Sequence, residues 1–498
     1  MRKQISITLF FIHLFFLSFA QDISWEKPQK KSLEKLADSL SRNIKPWKVP
    51  KKIFEVEKYG AIGDSSRLNT IEIQMAIDDC AKNGGGVVLF SKGQYVTGTI
   101  ELKSGVMLEI SKNAKILGSI NIADYPEKIE AFKSVMSENH KYRQSLIYAE
   151  NCTNVGIRGK GEIYFRGEKA NFPGKETTGE ILVRPFGIRM ITCKNIMLQN
   201  IFLHNSASWM QSYLFCENLI FDGIKVINQG NYNNDGLDPD GCTNLIVRNC
   251  YINSEDDAMC LKGASNKPSK NILIENSTFL SSCNALKIGT DTQGDFYNII
   301  ARNLKLGGIP EDMPAPKGHD ASTGVTLASV DGGNVHDILI SNITIDMVRC
   351  PIFLRTGNRL RAMPNTLVKE VGQLHRVIIE NVSGDNNFKQ GSLISGIKDH
   401  PVTDVIIKNC RLKMIGGGDT SLINQEVPEK ENGYPDAQSF LKKGLPSYGF
   451  FVRYADNIHI SNTTIIPNMP DLRPMFLAGK EVKDFYFNNK NITQSMKD

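Results

Sequence analysis

Short apolar runs with a period of two recur along the chain, and Asn, Gly and Ser separate each run from the next. The clearest units open with Asn and a branched apolar residue, and their starts lie 23 to 27 residues apart: Asn195, Asn218, Asn244, Asn271 and Asn298. Degenerate copies begin at Asp337, Arg376, Asp404 and Asn457. The alternation predicts strands, and the polar clusters predict turns.

A single unit of this kind cannot bury its own apolar face. Stacked coils can, because each strand then pairs with the coils above and below at about 4.8 Å. Leucine-rich repeats need a Leu-x-x-Leu-x-Leu frame that the chain lacks, and propeller blades need about 40 residues and four antiparallel strands. The repeat therefore predicts an all-β solenoid, a right-handed single-stranded parallel β-helix over residues 53–498.

The N-terminus has the pattern of an export signal. Arg2 and Lys3 precede an apolar run from Ile5 to Leu17, and a small residue, Ala20, ends the segment. The run is too short to cross a membrane, which takes roughly 20 apolar residues. We expect residues 1–20 to be a cleaved signal peptide and the mature protein to be secreted, periplasmic or extracellular, without membrane insertion.

Two helices are predicted outside the repeat. Residues 21–52 form a polar helix, over Ser32–Asn43, and a linker. The apolar spacing of Thr70–Asn83 predicts a helix that caps the first coil, as open-ended solenoids need. Three interruptions read as loops that shape a binding surface: Glu162–Glu180, Gly307–Gly324 and Asn424–Tyr448.

Composition and charge narrow the function classes. The chain is 41% hydrophobic and 22% charged, which fits one large folded body. The formal net charge is +6, and loss of the two basic residues of the signal leaves +4. This mild excess is compatible with an anionic substrate. Basic residues are dispersed, so nothing indicates nucleic-acid binding. We expect a monomer.

The placement of the ten cysteines favours buried thiols over a disulfide framework and leaves one or two disulfide bridges open. Four of them, Cys152, Cys193, Cys216 and Cys242, each stand two residues before a repeat Asn. Cysteines at one place in a repeat stack as small apolar groups. The chain has no CxxC pair that would indicate a zinc site.

Acidic residues concentrate in two neighbouring repeats. One contains Asp235, and the next contains the pair Asp256-Asp257. Asp235 and Asp257 lie about one coil apart, so a parallel solenoid places them side by side. Hydrolysis of a glycosidic bond needs a protonated carboxyl and a carboxylate, and crowding of carboxylates raises the pKa of at least one of them.

The two adjacent aspartates can share a cleft only where the backbone departs from a regular strand, because successive strand residues point to opposite faces. Asp238, Asp240 and Glu255 fit turn residues as well as site residues. The carboxylates would also suit calcium. For Asp235, Asp256 and Asp257 together we favour catalysis, with no metal and no cofactor.

At these residues the chain resembles glycoside hydrolase family 28, the polygalacturonases and their relatives. Asn233-Asn234-Asp235-Gly236 and Asp256-Asp257 are similar to that family's Asn-x-Asp and Asp-Asp motifs, and further similar pieces run from Tyr59 to Trp209. The resemblance implies a β-helix and inverting, metal-independent hydrolysis of a pectic polysaccharide. It implies that Asp256 is the general acid and that Asp235 and Asp257 hold and activate water.

Two departures from the family concern substrate binding. Asn284, one coil beyond Asp257, stands where polygalacturonases carry the histidine of Gly-His-Gly. Arg355 is the one cation left where they carry Arg-Ile-Lys; it fits a contact to a uronate carboxylate or a solvated side chain equally. Further candidate substrate-binding residues are Lys287, Asn233 and Trp209, the last of which fits sugar stacking or packing. These departures favour a decorated pectin over plain polygalacturonan.

Two rival functions remain. A pectate-lyase-like β-helix would need calcium and a base that removes a proton beside a carboxylate. A non-catalytic glycan-binding β-helix would keep the repeat but would have no reason to gather three acids on adjacent coils. The glycan backbone and the endo or exo mode are left open.

Overall fold

The computed structural model describes residues 23–129, 143–173, 183–362, 370–385, 390–440 and 444–496. Its strands form two long sheets in which successive coils pair in parallel, with an antiparallel pairing of Phe485–Phe487 with Lys490–Asn491 near the C-terminus. The predicted parallel β-helix is therefore the observed architecture. The predicted signal peptide lies outside the described residues.

The larger sheet has 24 strands. They are Ile53–Glu55, Asp64–Leu68, Gly86–Phe90, Gly93–Thr97, Val106–Ile110, Ala114–Gly118, Thr153–Gly159, Glu162–Tyr164, Lys194–Gln199, Phe202–His204, Glu217–Asp222, Lys225–Asn228, Thr243–Arg248, Tyr251–Ser254, Ser269–Ser281, Phe296–Gly307, Val335–Asp346, Leu374–Asp385, Val402–Lys408, Arg411–Gly416, Ala455–Ser461, Thr464–Met469, Phe485–Phe487 and Lys490–Asn491.

The smaller sheet has 12 strands and carries the acidic residues. They are Ile100–Glu101, Ser145–Glu150, Phe186–Ile191, Gln211–Leu214, Asp238–Asp240, Met259–Gly263, Asn284–Thr292, Ala321–Ser329, Val348–Thr356, Ser392–Ser395, Phe450–Arg453 and Phe476–Ala478.

The repeat asparagines form a ladder because their position needs a left-handed backbone. Asn195, Asn218 and Asn244 have φ between 56° and 61°, a region that Asn tolerates better than most residues. The side-chain Nδ2 of each donates to the side-chain Oδ1 of the Asn one coil earlier, at 2.8–3.0 Å for these three. The degenerate copies at Asp337, Arg376, Asp404 and Asn457 share the positive φ. The repeat is therefore set by a turn conformation.

The core fills the interior of the coils with stacked aliphatic side chains. Helix α2, Thr70–Lys82, covers the first coils with Ile73, Ala76, Ile77 and Cys80, which confirms the predicted capping helix. All ten cysteines are buried and free, so the prediction of stacked thiols is confirmed.

Helix α1, Glu26–Asn43, begins earlier than the predicted polar helix and lies along the outside of the larger sheet. Its buried Leu33, Ala37 and Leu40 pack on a row of apolar side chains from five successive coils, Ile246, Leu273, Ile300, Leu339 and Ile378. Lys30 and Glu380 form an ion pair at 2.6 Å that fixes one end. The N-terminal segment is thus a brace across the coils.

The remaining helical pieces are short: Val56–Tyr59, Ile122–Asp124, Thr420–Ile423, Ala437–Ser439 and Gln494–Met496. Among the described residues, no helix has the length and apolar character that a membrane crossing requires. The loop predicted at Gly307–Gly324 spans residues 308–320, because Gly307 ends one strand and Ala321–Ser329 is the next. The loop predicted at Glu162–Glu180 starts later, because Glu162–Tyr164 is a strand. In the loop predicted at Asn424–Tyr448, the described residues 424–440 and 444–448 contain the short helix Ala437–Ser439 and no strand.

Candidate active site

Asp235, Asp257 and Asn284 line up across three adjacent coils of the smaller sheet. Leu237 pairs with Met259, which pairs with Leu286, so the residues two places earlier, Asp235, Asp257 and Asn284, are neighbours in register. The backbone confirms this alignment: Gly236 N donates to the Asp257 carbonyl at 2.8 Å, and Ala258 N donates to the Asn284 carbonyl at 2.9 Å.

Asp256 and Asp257 lie in a break between two strands. The strand Tyr251–Ser254 ends before them, and Met259–Gly263 begins after them. The Ser254 hydroxyl lies 3.1 Å from both the Asp256 and Asp257 carbonyls, and Asp257 N donates to Asp256 Oδ1 at 3.0 Å. One oxygen of each carboxylate lies within 4.8 Å of the other and of the Cys283 sulfur. The irregular backbone therefore brings adjacent aspartates to one place.

Lys262 sits between two buried carboxylates at one side of the site. Its Nζ lies 3.2 Å from Asp235 Oδ2 and 3.6 Å from Asp238 Oδ1. The same ammonium lies 4.3 Å from the centroid of the Trp209 ring. Since all three polar side chains are buried, the cation offsets negative charge that burial would otherwise make costly.

Lys287 holds another carboxylate one coil further on, where its register partner is Cys260. Its Nζ lies 2.8 Å from Asp257 Oδ2 and 2.7 Å from Oδ1 of Asp436, which comes from the 424–448 loop. Asn284 Nδ2 donates to Asp257 Oδ1 at 2.6 Å, and Asn284 Oδ1 accepts from the Thr323 hydroxyl at 2.6 Å. Both oxygens of Asp257 are therefore held.

A third lysine approaches from the 308–320 loop. Lys317 Nζ lies 2.9 Å from Glu255 Oε1 and 3.5 Å from Asp256 Oδ2. The Lys317 side chain is 40% exposed, whereas those of Lys262 and Lys287 are 6% and 1% exposed. Of the three lysines, Lys317 is therefore the one that solvent, and hence a ligand, reaches.

The surrounding groups shift the pKa values of Asp235 and Asp257 in opposite directions. Burial raises the pKa of Asp235 to about 8, with the charges of Asp256 and Asp257 adding to the rise against the pull of Lys262. Burial acts on Asp257 in the same direction, but Lys287 and Lys262 outweigh it and lower its pKa. At neutral pH the site thus holds both a protonated carboxyl and a carboxylate.

The sequence profile of glycosyl hydrolases family 28 matches residues 89–432, most of the chain and all three aspartates. The chain belongs to this family. Family 28 membership makes it a glycoside hydrolase, and it is similar to polygalacturonases. The probable polygalacturonase of Vitis vinifera is 25% identical over 380 residues, which cover 72% of this chain and 73% of that protein.

Solved structures of family 28 share the fold. The exopolygalacturonase of Thermotoga maritima matches with a TM-score of 0.68 at 19% identity, covering 87% of this chain and 96% of that chain. The family 28 exopolygalacturonase of Yersinia enterocolitica matches with a TM-score of 0.65 at 18% identity, covering 88% and 78%. These likenesses confirm the predicted all-β parallel β-helix.

The predicted substrate-binding residues of this family 28 member occupy different settings. Asn284 and Lys287 lie in the site but are bonded to Asp257. Asn233 is exposed, and its side chain accepts from Arg184 at 2.9 Å. Trp209 is half-buried, stacked on Phe186 at 5.3 Å between centroids.

Arg355 is 1% exposed, so the solvated alternative is wrong. It lies beneath the 424–448 loop, where it donates to the Lys430 carbonyl and stacks 4.1 Å from the Phe440 ring centroid. Burial, with Arg453 and Arg359 nearby, lowers its pKa to about 9. A contact between Arg355 and a uronate stays a prediction.

Sequence reasoning missed three charged residues of the family 28 site. Lys262 had a signal, because aligning Leu237 with Met259 places it opposite Asp240. Lys317 and Asp436 had none beyond their location in predicted loops. Asp238 and Asp240 were left open as turn residues; both are buried strand residues. Glu255 is buried beside Asp256, and burial raises its pKa to about 7 against the pull of Lys317.

Proposed function

We propose that this protein is a secreted, inverting glycoside hydrolase that cleaves pectin-type polysaccharide without a metal. The observation that carries the proposal is the geometry of Asp235, Asp256 and Asp257, whose carboxyl groups are brought together by adjacent coils and by the break between two strands in a family 28 chain. Single-displacement hydrolysis needs such a set of carboxyl groups, with an acid for the leaving oxygen and a base for water.

The roles follow from exposure and charge. Asp256 has 18% of its side chain exposed, against 5% for Asp235 and 4% for Asp257, so it is the group that a glycosidic oxygen reaches first. Asp256 gives its proton to that oxygen as the bond to the anomeric carbon breaks. Asp257 takes a proton from the attacking water, and Asp235 holds that water.

The donor set supports catalysis without a metal. The oxygens that a cation would need on Asp256 and Asp257 are already engaged by Lys317 and by Lys287 with Asn284. The nearby Cys283 is buried, and burial raises the pKa of its thiol well above the usual value. A calcium ion takes six to eight oxygen ligands, which this group does not offer.

The substrate class comes from the relatives and from Lys317. Several relatives are polygalacturonases, whose substrate carries a carboxylate on each sugar. Lys317 is the exposed cation beside the proposed acid, so we assign it to a uronate carboxylate on the leaving-group side. Because Asn284 replaces the family histidine, we expect decorated pectin, or the ends of oligogalacturonides, to be better substrates than smooth polygalacturonan.

Product analysis tests the proposal against its rivals. The protein is incubated with defined pectic oligosaccharides, with and without chelator, and fresh products are followed by NMR. We expect inverted anomers, no absorbance from a new double bond and no loss with chelator. Retained configuration, an unsaturated product, or binding without cleavage would each refute it. Intact-mass measurement of exported protein tests secretion, with Gln21 expected as the first residue and Met1 retention contradicting it.

A further inference from the structure

The 424–448 loop adds a charged residue to the site from outside the family match. That match ends at residue 432, and Asp436 follows it. Asp436 stands just before the short helix Ala437–Ser439, and its side chain is 11% exposed. The loop thus inserts a nearly buried carboxylate among the site residues that the coils supply.

Asp436 and Asp257 share the same two donors. Lys287 Nζ lies 2.7 Å from Asp436 Oδ1 and 2.8 Å from Asp257 Oδ2. Asn284 Nδ2 lies 3.3 Å from Asp436 Oδ1 and 2.6 Å from Asp257 Oδ1. One buried positive charge therefore serves two carboxylates.

Sharing changes the strength of Asp257 as a base. A buried ammonium that pairs with one carboxylate stabilises its charged form and weakens its hold on a proton. A second carboxylate on the same ammonium offsets this effect, because the positive charge is then shared.

We propose that Asp436 is a positioning residue that shares the Lys287 ammonium with Asp257 and so keeps Asp257 basic enough to take a proton from the attacking water. The inference rests on the proposed function, in which Asp257 is the base. The working state of the site has both carboxylates ionised with Lys287 between them.

The surrounding charges support this order of titration. Four groups face Asp436 from other elements: Lys287 on the strand Asn284–Thr292, Asp256 and Asp257 at the break between two strands, and Cys283. Tyr434 lies nearby on the same loop as Asp436. Burial raises the pKa of Asp436, and the charges of Asp257 and Asp256 add to the rise while Lys287 opposes it. Since the pKa of Asp257 is lowered, falling pH protonates Asp436 first and leaves Lys287 to Asp257 alone.

The pH profile of kcat/KM tests the proposal, with the best-cleaved pectic oligosaccharide as the probe. Asp436→Asn should lower kcat about tenfold with KM nearly unchanged, because only the transition state loses. Its acid-side midpoint should move to lower pH. Lys287→Met should move that midpoint to higher pH, because Asp257 loses its cation. Asp436→Glu should recover the wild-type midpoint.

A matched control removes a carboxylate from another Lys–Asp pair. Asp385 is exposed and lies 3.1 Å from Lys413; Asp385→Asn should keep the wild-type profile. If Asp436→Asn is unstable, Asp436→Ser provides the same readout. An unchanged midpoint in the Asp436 variants, a shift to higher pH, or an effect on KM alone would overturn the proposal. Normal turnover by Asp257→Asn would instead refute the base assignment on which it rests.

Discussion

Replacing Asp256 with Asn tests the proposed role of Asp256 as general acid separately from the roles of Asp235 and Asp257. Asn keeps the size of the side chain but cannot give a proton to the leaving oxygen. General acid catalysis contributes about 10²–10⁴-fold, or roughly 3–5 kcal/mol of the activation free energy. We expect kcat on pectic oligosaccharides to fall by that factor while KM changes little, because the lost interaction serves the transition state.

The leaving group provides the discriminating assay. An oligosaccharide that ends in a 4-nitrophenyl group releases 4-nitrophenolate on cleavage. This stabilised leaving group needs little protonation. Asp256→Asn should therefore regain most of its activity on the nitrophenyl substrate. Asp235→Asn and Asp257→Asn should stay slow on both substrates, since water must still be held and activated.

Two results would refute this assignment. Near-normal turnover of pectic oligosaccharides by Asp256→Asn would remove Asp256 from the mechanism. Rescue of Asp235→Asn in place of Asp256→Asn would make Asp235 the acid, a role that its pKa of about 8 allows because it carries a proton at neutral pH. The comparison thus decides between the more exposed carboxyl and the more basic one.

Two further predictions concern stability. Burial raises the pKa of Asp240 to about 7, and its Oδ1 accepts from Ala264 N at 2.9 Å. The unfolded chain loses this proton first as pH rises, so the wild type loses stability between about pH 4 and 7. Asp240→Asn keeps an oxygen that can accept from Ala264 N. It should be more stable than the wild type at pH 8, by on the order of a few kcal/mol, but not at pH 4. Equal urea midpoints of the two proteins at pH 8 would contradict this. Leu33→Ala should cost about 2–4 kcal/mol of unfolding free energy by opening a cavity under α1, while exposed Lys35→Ala should cost little; equal melting temperatures would show that α1 adds no stability.

The fold could be predicted because its cause is local and repeated. A left-handed turn position favours Asn, and the apolar alternation after it is the strand that fills the core. Asn195 and its equivalents show both in the sequence. The one-coil spacing alone predicts that Asp235, Asp257 and Asn284 lie side by side, and the register of the coils agrees.

The rest of the site depends on contacts that no period encodes. Asp436 lies 149 residues from Lys287 along the chain, and only the path of the 424–448 loop brings the two within 2.7 Å. Lys317 reaches Asp256 in the same way from another loop. From the sequence, Arg355 fits a uronate contact and a solvated side chain equally; in the structure the 424–448 loop covers it. Irregular segments decide these contacts, and their conformations follow from tertiary packing.

The position of α1 also constrains the order in which the protein can fold. The Gln29 side chain donates to the backbone carbonyl of Arg376, 347 residues later. Leu33 belongs to an apolar cluster with side chains from five separate coils. The helix precedes the coils in the chain, so it can dock completely only after the coils that contact it have been made. A chain truncated before Arg376 should therefore hold α1 less firmly, because it lacks Ile378, Glu380 and the Arg376 carbonyl. Docking of α1 thus marks a finished coil stack, and its release would expose an apolar stripe that proteases or chaperones recognise.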